Sequence, residues 1–432
     1  MENLFISNIR INQVRHLHNI DIFLSSTEKR HLIITGKNGS GKTSILSNIR
    51  NTLAGQILGW NKSPQDALNY KSHFTNGLVN IQSSMQQLTD NMRNNNQGDY
   101  GIDQARLNIE SYQRIKRDYE NIVAYLDGII YGNPSIILSM GDTTDLPLLH
   151  TMGQYVVHFF DAKRTAYVGN PTGIQGENIN TTNSVLNSAN PNFLQYIVNL
   201  RAEQSFARDE GDTFSVNNIQ FWFANFTKQL ADLFGDDSLK LKFDRRRFNF
   251  MIELPNRSPF DFNTMSDGYS AILSIVTEIM MRMKNNTNNY DIQGIVLIDE
   301  IETHLHIELQ KKVLPFLISF FPNLQFVVSS HSPFILNSIS NAVVYDLEKN
   351  IRVEDLSGYS LEGIVEGYFR QDKYSEEVKS RLDEFEQLAL NKNRNPEEQE
   401  RYRFLKKYFK ELPKFYSEEL ELKLNQIQLA EL

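Results

Sequence analysis

Apolar positions alternate at the start of the chain. Phe5, Ile9 and Ile11, then Ile20, Ile22 and Leu24, predict two strands joined by a turn near His18–Asn19. Leu32-Ile33-Ile34 is a short apolar run closed by a glycine, the pattern of a strand buried on both faces. Ile45, Ile49 and Leu53 then recur at helical spacing. From 62 to about 130 the apolar positions thin out among Gln, Asn and Ser, with a polar run NNNQGDYG near the middle. This predicts two helices of about 25–30 residues, each reaching about 40 Å at about 1.5 Å per residue. The pair is either a projecting arm or a helical subdomain packed on the core.

Strand character returns at Val156-Val157-His158-Phe159-Phe160, and a Gly/Asn/Thr-rich loop is predicted over 168–190. A helix-like stretch leads to a strand at Phe248–Leu254, then a helix from about 267 to 284, a strand at 294–298, a helix at 304–320 and a strand at 325–329. Strands alternating with helices predict an α/β fold with a mixed or parallel sheet. The tail from 357 is dense in nearly balanced charge, as solvated helix faces are. The expected division is a first lobe (1–60), a helical insertion or short arm (61–150), a second lobe (151–356) and a charged helical tail (357–432).

Composition narrows the class. With 432 residues, 40% hydrophobic, 22% charged, 22 Gly and 12 Pro, the chain is neither disordered, collagen-like nor a small disulfide scaffold. Its net charge of −8 means that any nucleic-acid contact must come from a local basic patch. The absence of cysteine excludes thiol nucleophiles, Cys-type zinc sites and iron–sulfur clusters, and fits a reducing compartment. MENLFISNIRINQVR reads as a strand and not a signal peptide, and no run approaches the roughly 20 apolar residues that span a bilayer. A cytoplasmic protein without membrane contact is expected.

Gly36-Lys37-Asn38-Gly39-Ser40-Gly41-Lys42-Thr43, with Ser44 following, matches the phosphate-binding loop GxxxxGK[ST] between a buried strand and an amphipathic helix. Glycines let successive N–H groups converge on phosphate oxygens, and the helix N-terminus adds a positive dipole end. Lys42 is placed to reach the β- and γ-phosphates of ATP, and the Thr43 hydroxyl to ligate Mg²⁺. Gly294-Ile295-Val296-Leu297-Ile298 delivers Asp299 and Glu300 at a strand's carboxyl end, where ligands of open α/β sheets sit. Asp299 is the candidate metal ligand, and Glu300 the residue that orients or deprotonates the attacking water.

Two weaker segments complete the pattern. Met265-Ser266-Asp267-Gly268-Tyr269 precedes an apolar helix, and Val327-Val328-Ser329-Ser330-His331-Ser332-Pro333 is a strand ending in a histidine. Alone, the first reads as a capped helix start and the second as a structural or surface histidine. In this order and spacing they resemble the ABC-type ATPases, including SMC, RecF and OLD-type members of the AAA ATPases. The resemblance implies a homodimer or higher homo-oligomer in which Ser266 and Gly268 of one subunit complete the nucleotide site of another, and His331 contacts the γ-phosphate. Glu302-Thr303-His304-Leu305-His306 is similar to the segment after the catalytic Glu in OLD-type members, and Asn8-Ile9-Arg10 to their first strand.

The departures are informative. Asp267 and Tyr269-Ser270 replace the usual signature residues, as in the OLD-type branch. No glutamine-loop residue stands out; Phe160-Asp161-Ala162-Lys163-Arg164 lies where it belongs. Zinc-hook repair ATPases need a Cys-x-x-Cys that this chain lacks. After His331 there is no carboxylate cluster for a two-metal nuclease, so a nuclease is expected as a separate effector protein. Together these features most resemble the ATPase subunits of bacterial anti-phage defence systems of the Septu or PARIS kind. Lys240-Leu241-Lys242-Phe243-Asp244-Arg245-Arg246-Arg247 is the densest basic run, a candidate DNA contact, acidic-partner surface or solvated strand edge. The alternatives to an effector-controlling ATPase are a RecF/SMC-like DNA-binding ATPase of repair or recombination, and an ATP-bound scaffold with little turnover.

Overall fold

The structure, a computed structural model, describes residues 4–93, 99–162, 169–171, 173–175, 193–255, 257–283, 292–360, 363–364, 376–391 and 393–411. They fall into two compact units that meet in sequence at Gly358/Tyr359.

The first unit opens with β1 (Asn8–Val14), β2 (Leu17–Phe23) and β3 (His31–Thr35), followed by α1 (Lys42–Leu58). Two long helices follow, α2 (Pro64–Arg93) and α3 (Asp99–Ile130), then β4 (Ile136–Ser139), α4 (Leu146–Thr151) and β5 (Tyr155–Phe160). Next come α5 (Phe193–Glu210), α6 (Thr213–Phe234), β6 (Lys240–Asp244), β7 (Asn249–Glu253) and β8 (Phe260–Asp261). The unit continues through α7 (Asp267–Arg282), β9 (Gln293–Ile298), α8 (Ile307–Phe320), β10 (Leu324–Ser329), α9 (Pro333–Leu336), β11 (Ala342–Asp346) and β12 (Ile351–Glu354). The second unit contains α10 (Glu376–Leu390) and α11 (Pro396–Glu411), closed on each other by Phe385 stacked on Tyr402 and by Leu382, Leu405 and Phe409.

A six-stranded sheet, in the order β12-β11-β3-β10-β9-β5, forms the centre of the first unit. Its pairs are parallel except for the edge strand β12. Every residue of β3, β10 and β11 is buried, which is why these strands read as continuous apolar runs and not as alternating ones. Two antiparallel sheets flank it, β2-β1-β4 and β6-β7-β8. The protein is thus a mixed α/β fold with a central sheet.

Three sequence expectations shift. The β1–β2 turn lies at Arg15–His16 and not at His18–Asn19, because Val14 pairs with Leu17 and buried Leu17 extends the alternation past the histidines. The helix expected from 304 starts at Ile307, since His304 takes a left-handed φ of 67° that ends the preceding turn. Within 61–150, residues 136–139 form β4, which pairs with β1 (Ile11 opposite Ile136), so the helical hairpin itself runs from Pro64 to Ile130. The loop expected over 168–190 lies mostly outside the described residues.

The root of that hairpin belongs to the core: Ala67, Phe74, Ile122, Tyr125 and Leu126 are buried in one cluster with Ile49 and Leu53 of α1. Arg50 of α1 pairs with Asp118 of α3 at 3.1 Å. Farther out, Val79 and Leu107 are exposed. The 30 residues of α2 make a rod of about 45 Å, at about 1.5 Å per residue.

Candidate functional site

β3 ends at Thr35 and the chain passes into α1 through Gly36, Gly39 and Gly41, with φ of 134°, 83° and 104°. L-residues rarely adopt these values, and at two of the positions a side chain would also collide. A Cβ on Gly36 would lie 2.9 Å from Ser40 Oγ, and one on Gly41 2.8 Å from Leu17 Cδ1. Gly39 faces open space, Asn38 is exposed, and Ser44 is half-buried with its carbonyl accepting from Asn48. Ser40 Oγ is buried and has no partner among the described residues. Lys42 folds back, its Nζ donating to Gly36 O at 2.8 Å and Lys37 O at 3.2 Å. Burial lowers the pKa of its ammonium, and the carboxylates of Glu300, Asp299, Glu302 and Asp346 act in the opposite sense.

The carboxyl ends of β9 and β10 bring the acids to this loop. Asp299 is buried, and its Oδ2 accepts from Thr43 Oγ1 at 2.7 Å while Oδ1 accepts from Ser329 Oγ at 2.5 Å. Ser329 Oγ in turn accepts from the Glu300 N–H at 2.8 Å. Thr43, Asp299, Ser329 and the Glu300 backbone therefore form one hydrogen-bonded chain that joins the start of α1 to the carboxyl ends of β9 and β10. Glu300 holds a left-handed φ of 45°, a conformation that costs about 1–2 kcal/mol for a non-glycine residue and concentrates at functional sites. Thr303 donates its N–H to Glu300 O at 2.9 Å and its hydroxyl to Glu300 Oε2 at 3.4 Å.

His331 follows β10, whose end is tied to β3 by Ser330 N–H donating to Ile34 O at 3.0 Å. The His331 N–H donates to Glu302 Oε1 at 2.6 Å. Burial first and the Lys42 charge second lower the imidazole pKa below its usual range, opposed by Glu302, Glu300 and Asp299. The Lys42, Asp299, Glu300 and His331 positions thus gather at the carboxyl ends of neighbouring strands, where the sequence places them. Ser329 and Glu302 are the site residues that pattern reading left without a role. Their only sequence signal was adjacency to His331 and Glu300.

Ser266 and Gly268 stand elsewhere, at the start of α7. Ser266 is exposed and forms the N-cap without a side-chain cap bond. Gly268 packs closely on α8 and the turn before it, since a Cβ there would lie 2.9 Å from Leu309 Cδ1 and 3.3 Å from His304 O. Among the described residues no hydrogen bond or ion pair joins either to the loop at 36–44. Within α7, buried Glu278 bonds Arg282 one turn on at 2.7 Å, and toward the sheet it approaches His158 of β5 at 3.7 Å. Phe160 O accepts from Asp299 N–H at 2.9 Å, while Lys163 and Arg164 lie outside the described residues. In the basic run, Lys242 pairs with Glu253 at 3.2 Å, and Arg245, Arg246 and Arg247 are exposed on the β6–β7 turn, whose Asp244 accepts from two of their N–H groups.

The donor set fits a nucleotide with Mg²⁺. One hydroxyl (Thr43) and one carboxylate (Asp299) lie beside the glycine cradle, and no group of three His, Cys, Asp or Glu able to hold a metal occurs among the described residues. That matches a cation completed by phosphate and water and not by an all-protein cage.

A glycine loop opening a helix, joined to an acid-bearing strand, defines a phosphate-loop nucleotide site. The chain belongs to the AAA ATPase domain family, whose pattern matches residues 69–336, more than half of its length. That match includes Asp299, Glu300 and His331, while the loop at 36–44 stands on its own motif and geometry. The chain is 27% identical over 384 residues to Septu protein PtuA of Bacillus mycoides (strain KBAB4), covering 84% of this chain and 44% of that protein. It is 24% identical over 400 residues to the Retron Vc95 probable ATPase of Vibrio cholerae serotype O1 biovar El Tor, covering 78% and 74%. The chain therefore spans less than half the length of that PtuA. Among solved structures, the SMC head bound to the C-terminal winged-helix domain of ScpA superposes with a TM-score of 0.39 at 12% identity, covering 81% of this chain and 96% of that one.

Proposed function

We propose that the chain binds ATP with Mg²⁺, hydrolyses it, and uses closure of a homodimer or higher oligomer around the nucleotide to control a separate effector protein, a nuclease, in anti-phage defence. The observation that carries the hydrolytic part is the chain Thr43–Asp299–Ser329–Glu300, which locks the phosphate loop to the acids. In this reading Lys42 leaves its two loop carbonyls for the β- and γ-phosphates. Thr43 and Asp299 hold Mg²⁺, which when bound neutralises charge on those phosphates. Glu300 orients the attacking water and takes its proton as the bond to the ADP oxygen breaks, and His331 lies against the γ-phosphate.

Dimer closure is supported by Ser266, an exposed helix N-cap with no intrachain bond to the loop, left available to a second subunit's nucleotide. Such a switch works only because ATP then gains contacts in the closed state that the open one lacks. The defence role rests on the likeness to a Septu protein and a retron ATPase. Among the described residues no helix is long and apolar enough to cross a membrane. Lys42→Ala should abolish ATP binding in titration calorimetry, and Ser266→Arg should keep binding but lose ATP-dependent dimers in light scattering. Wild-type binding by the first would sink the site, and wild-type dimerisation by the second the trans contact.

A second reading, a DNA-binding ATPase, is favoured by one observation, the exposed Arg245, Arg246 and Arg247 on a tight turn. DNA stimulation of hydrolysis that disappears on replacing the three arginines by alanine would support it; no stimulation at physiological salt would exclude it.

A further inference from the structure

We propose that Glu302 is a positioning residue that sets where His331 meets the nucleotide. The inference rests on reading His331 as the γ-phosphate contact. Two connections bring reactive groups to the phosphate end: the one after β9 carries Glu300, and the one after β10 carries His331. Glu302 lies in the first and reaches the second, its Oε1 accepting the His331 backbone N–H at 2.6 Å. A charge-assisted bond of this length is stronger and more directional than a neutral one. The same residue's carbonyl accepts from the Leu305 N–H at 2.9 Å, which closes the turn that holds its side chain in place.

The rest of the β10 connection is satisfied by β3, α8 and its own serines, without the connection after β9. Ser330 N–H bonds Ile34 O, Ser332 N–H bonds Ser330 Oγ, and Ser332 Oγ bonds Gln310 Oε1 and caps α9. His331 is the link whose backbone depends on the catalytic-acid connection. Glu302 Oε2 and His331 Nε2 are both buried without a hydrogen-bond partner among the described residues.

Steady-state ATP hydrolysis by the full chain tests this, with His331→Ala, Glu302→Asp, Glu302→Gln, Glu302→Ala and the double variant His331→Ala/Glu302→Ala. Glutamine keeps an oxygen at the same reach; aspartate keeps the charge but is one methylene short. Glu302→Asp and Glu302→Ala should lower kcat about tenfold, as expected for losing one bond to a charged acceptor, with KM for ATP little changed. Glu302→Gln should recover most of the rate. The double variant should be no slower than His331→Ala, since groups acting through one another are not additive. Glutamine no faster than aspartate, or a double variant slowed by the product of the two single effects, overturns the proposal. A wild-type rate for His331→Ala would instead overturn the reading of His331 on which the proposal stands.

Discussion

Ser329 joins two strands at the site and is fully buried, so replacing it tests the geometry without touching nucleotide or metal. Its Oγ donates to Asp299 Oδ1 at 2.5 Å and accepts from Glu300 N–H at 2.8 Å. Ser329→Ala removes both bonds. Losing a bond to an ionised carboxylate costs about 1.5–3 kcal/mol and losing a neutral one about 1 kcal/mol, so a destabilisation of about 3 kcal/mol is expected. The Glu300 backbone, at φ 45°, loses the contact that holds it there. Turnover should therefore fall by at least about tenfold, equivalent to roughly 1.4 kcal/mol of barrier. Urea unfolding followed by tryptophan fluorescence measures the first, and phosphate release at saturating ATP the second. Ser338→Ala serves as a control, since its hydroxyl makes a single bond to Ile335 O at 2.8 Å in the same part of the chain. A Ser329→Ala protein that matches Ser338→Ala in both stability and rate would refute the reasoning.

Gly41→Ala should weaken ATP binding by about tenfold or more, because a left-handed alanine costs about 1–2 kcal/mol and its Cβ would also press on Leu17; unchanged affinity in calorimetry would contradict the cradle. His31, whose Nδ1 accepts from Phe326 N–H, has its pKa pushed down to about 3 by burial. Its folded value is below the unfolded value of about 6.5, so its contribution is intact above that pH and drains as pH falls, by about 2 kcal/mol between about pH 7.5 and pH 5. His31→Asn should flatten that part of the urea-stability profile, and an unchanged slope would count against it. Glu278→Ala should cost about 3–5 kcal/mol by stranding the buried Arg282 charge; a wild-type unfolding midpoint would show the pair to be dispensable.

The phosphate loop was legible because glycine spacing and a following Lys-Thr leave few other structures for the chain to adopt. β3, β9 and β10 were legible because burial on both faces makes their sequences continuously apolar. β4 was missed: four residues carry too little pattern, and only pairing with β1 defines it. The turn at Arg15–His16 was misplaced because Leu17 sits between two histidines, which hide a buried position. Ser329 and Glu302 were quoted in their motifs but had no role there. Their bonds run from one strand connection to another, 29 to 30 residues away in sequence. Such cross-chain bonds follow from strand order, which local periodicity does not encode.

The central claim is that ATP bound at the phosphate loop is hydrolysed through Glu300. Glu300→Gln removes the water-orienting carboxylate and leaves Lys42, Thr43 and Asp299 in place. The direct measurement is radiolabelled ATP turnover by this variant, with size-exclusion light scattering of the same sample. The account predicts retained ATP binding, hydrolysis reduced by at least about a hundredfold, the usual share of a general base, and an ATP-trapped closed dimer. Glu300→Gln protein that hydrolyses ATP at the wild-type rate would contradict it.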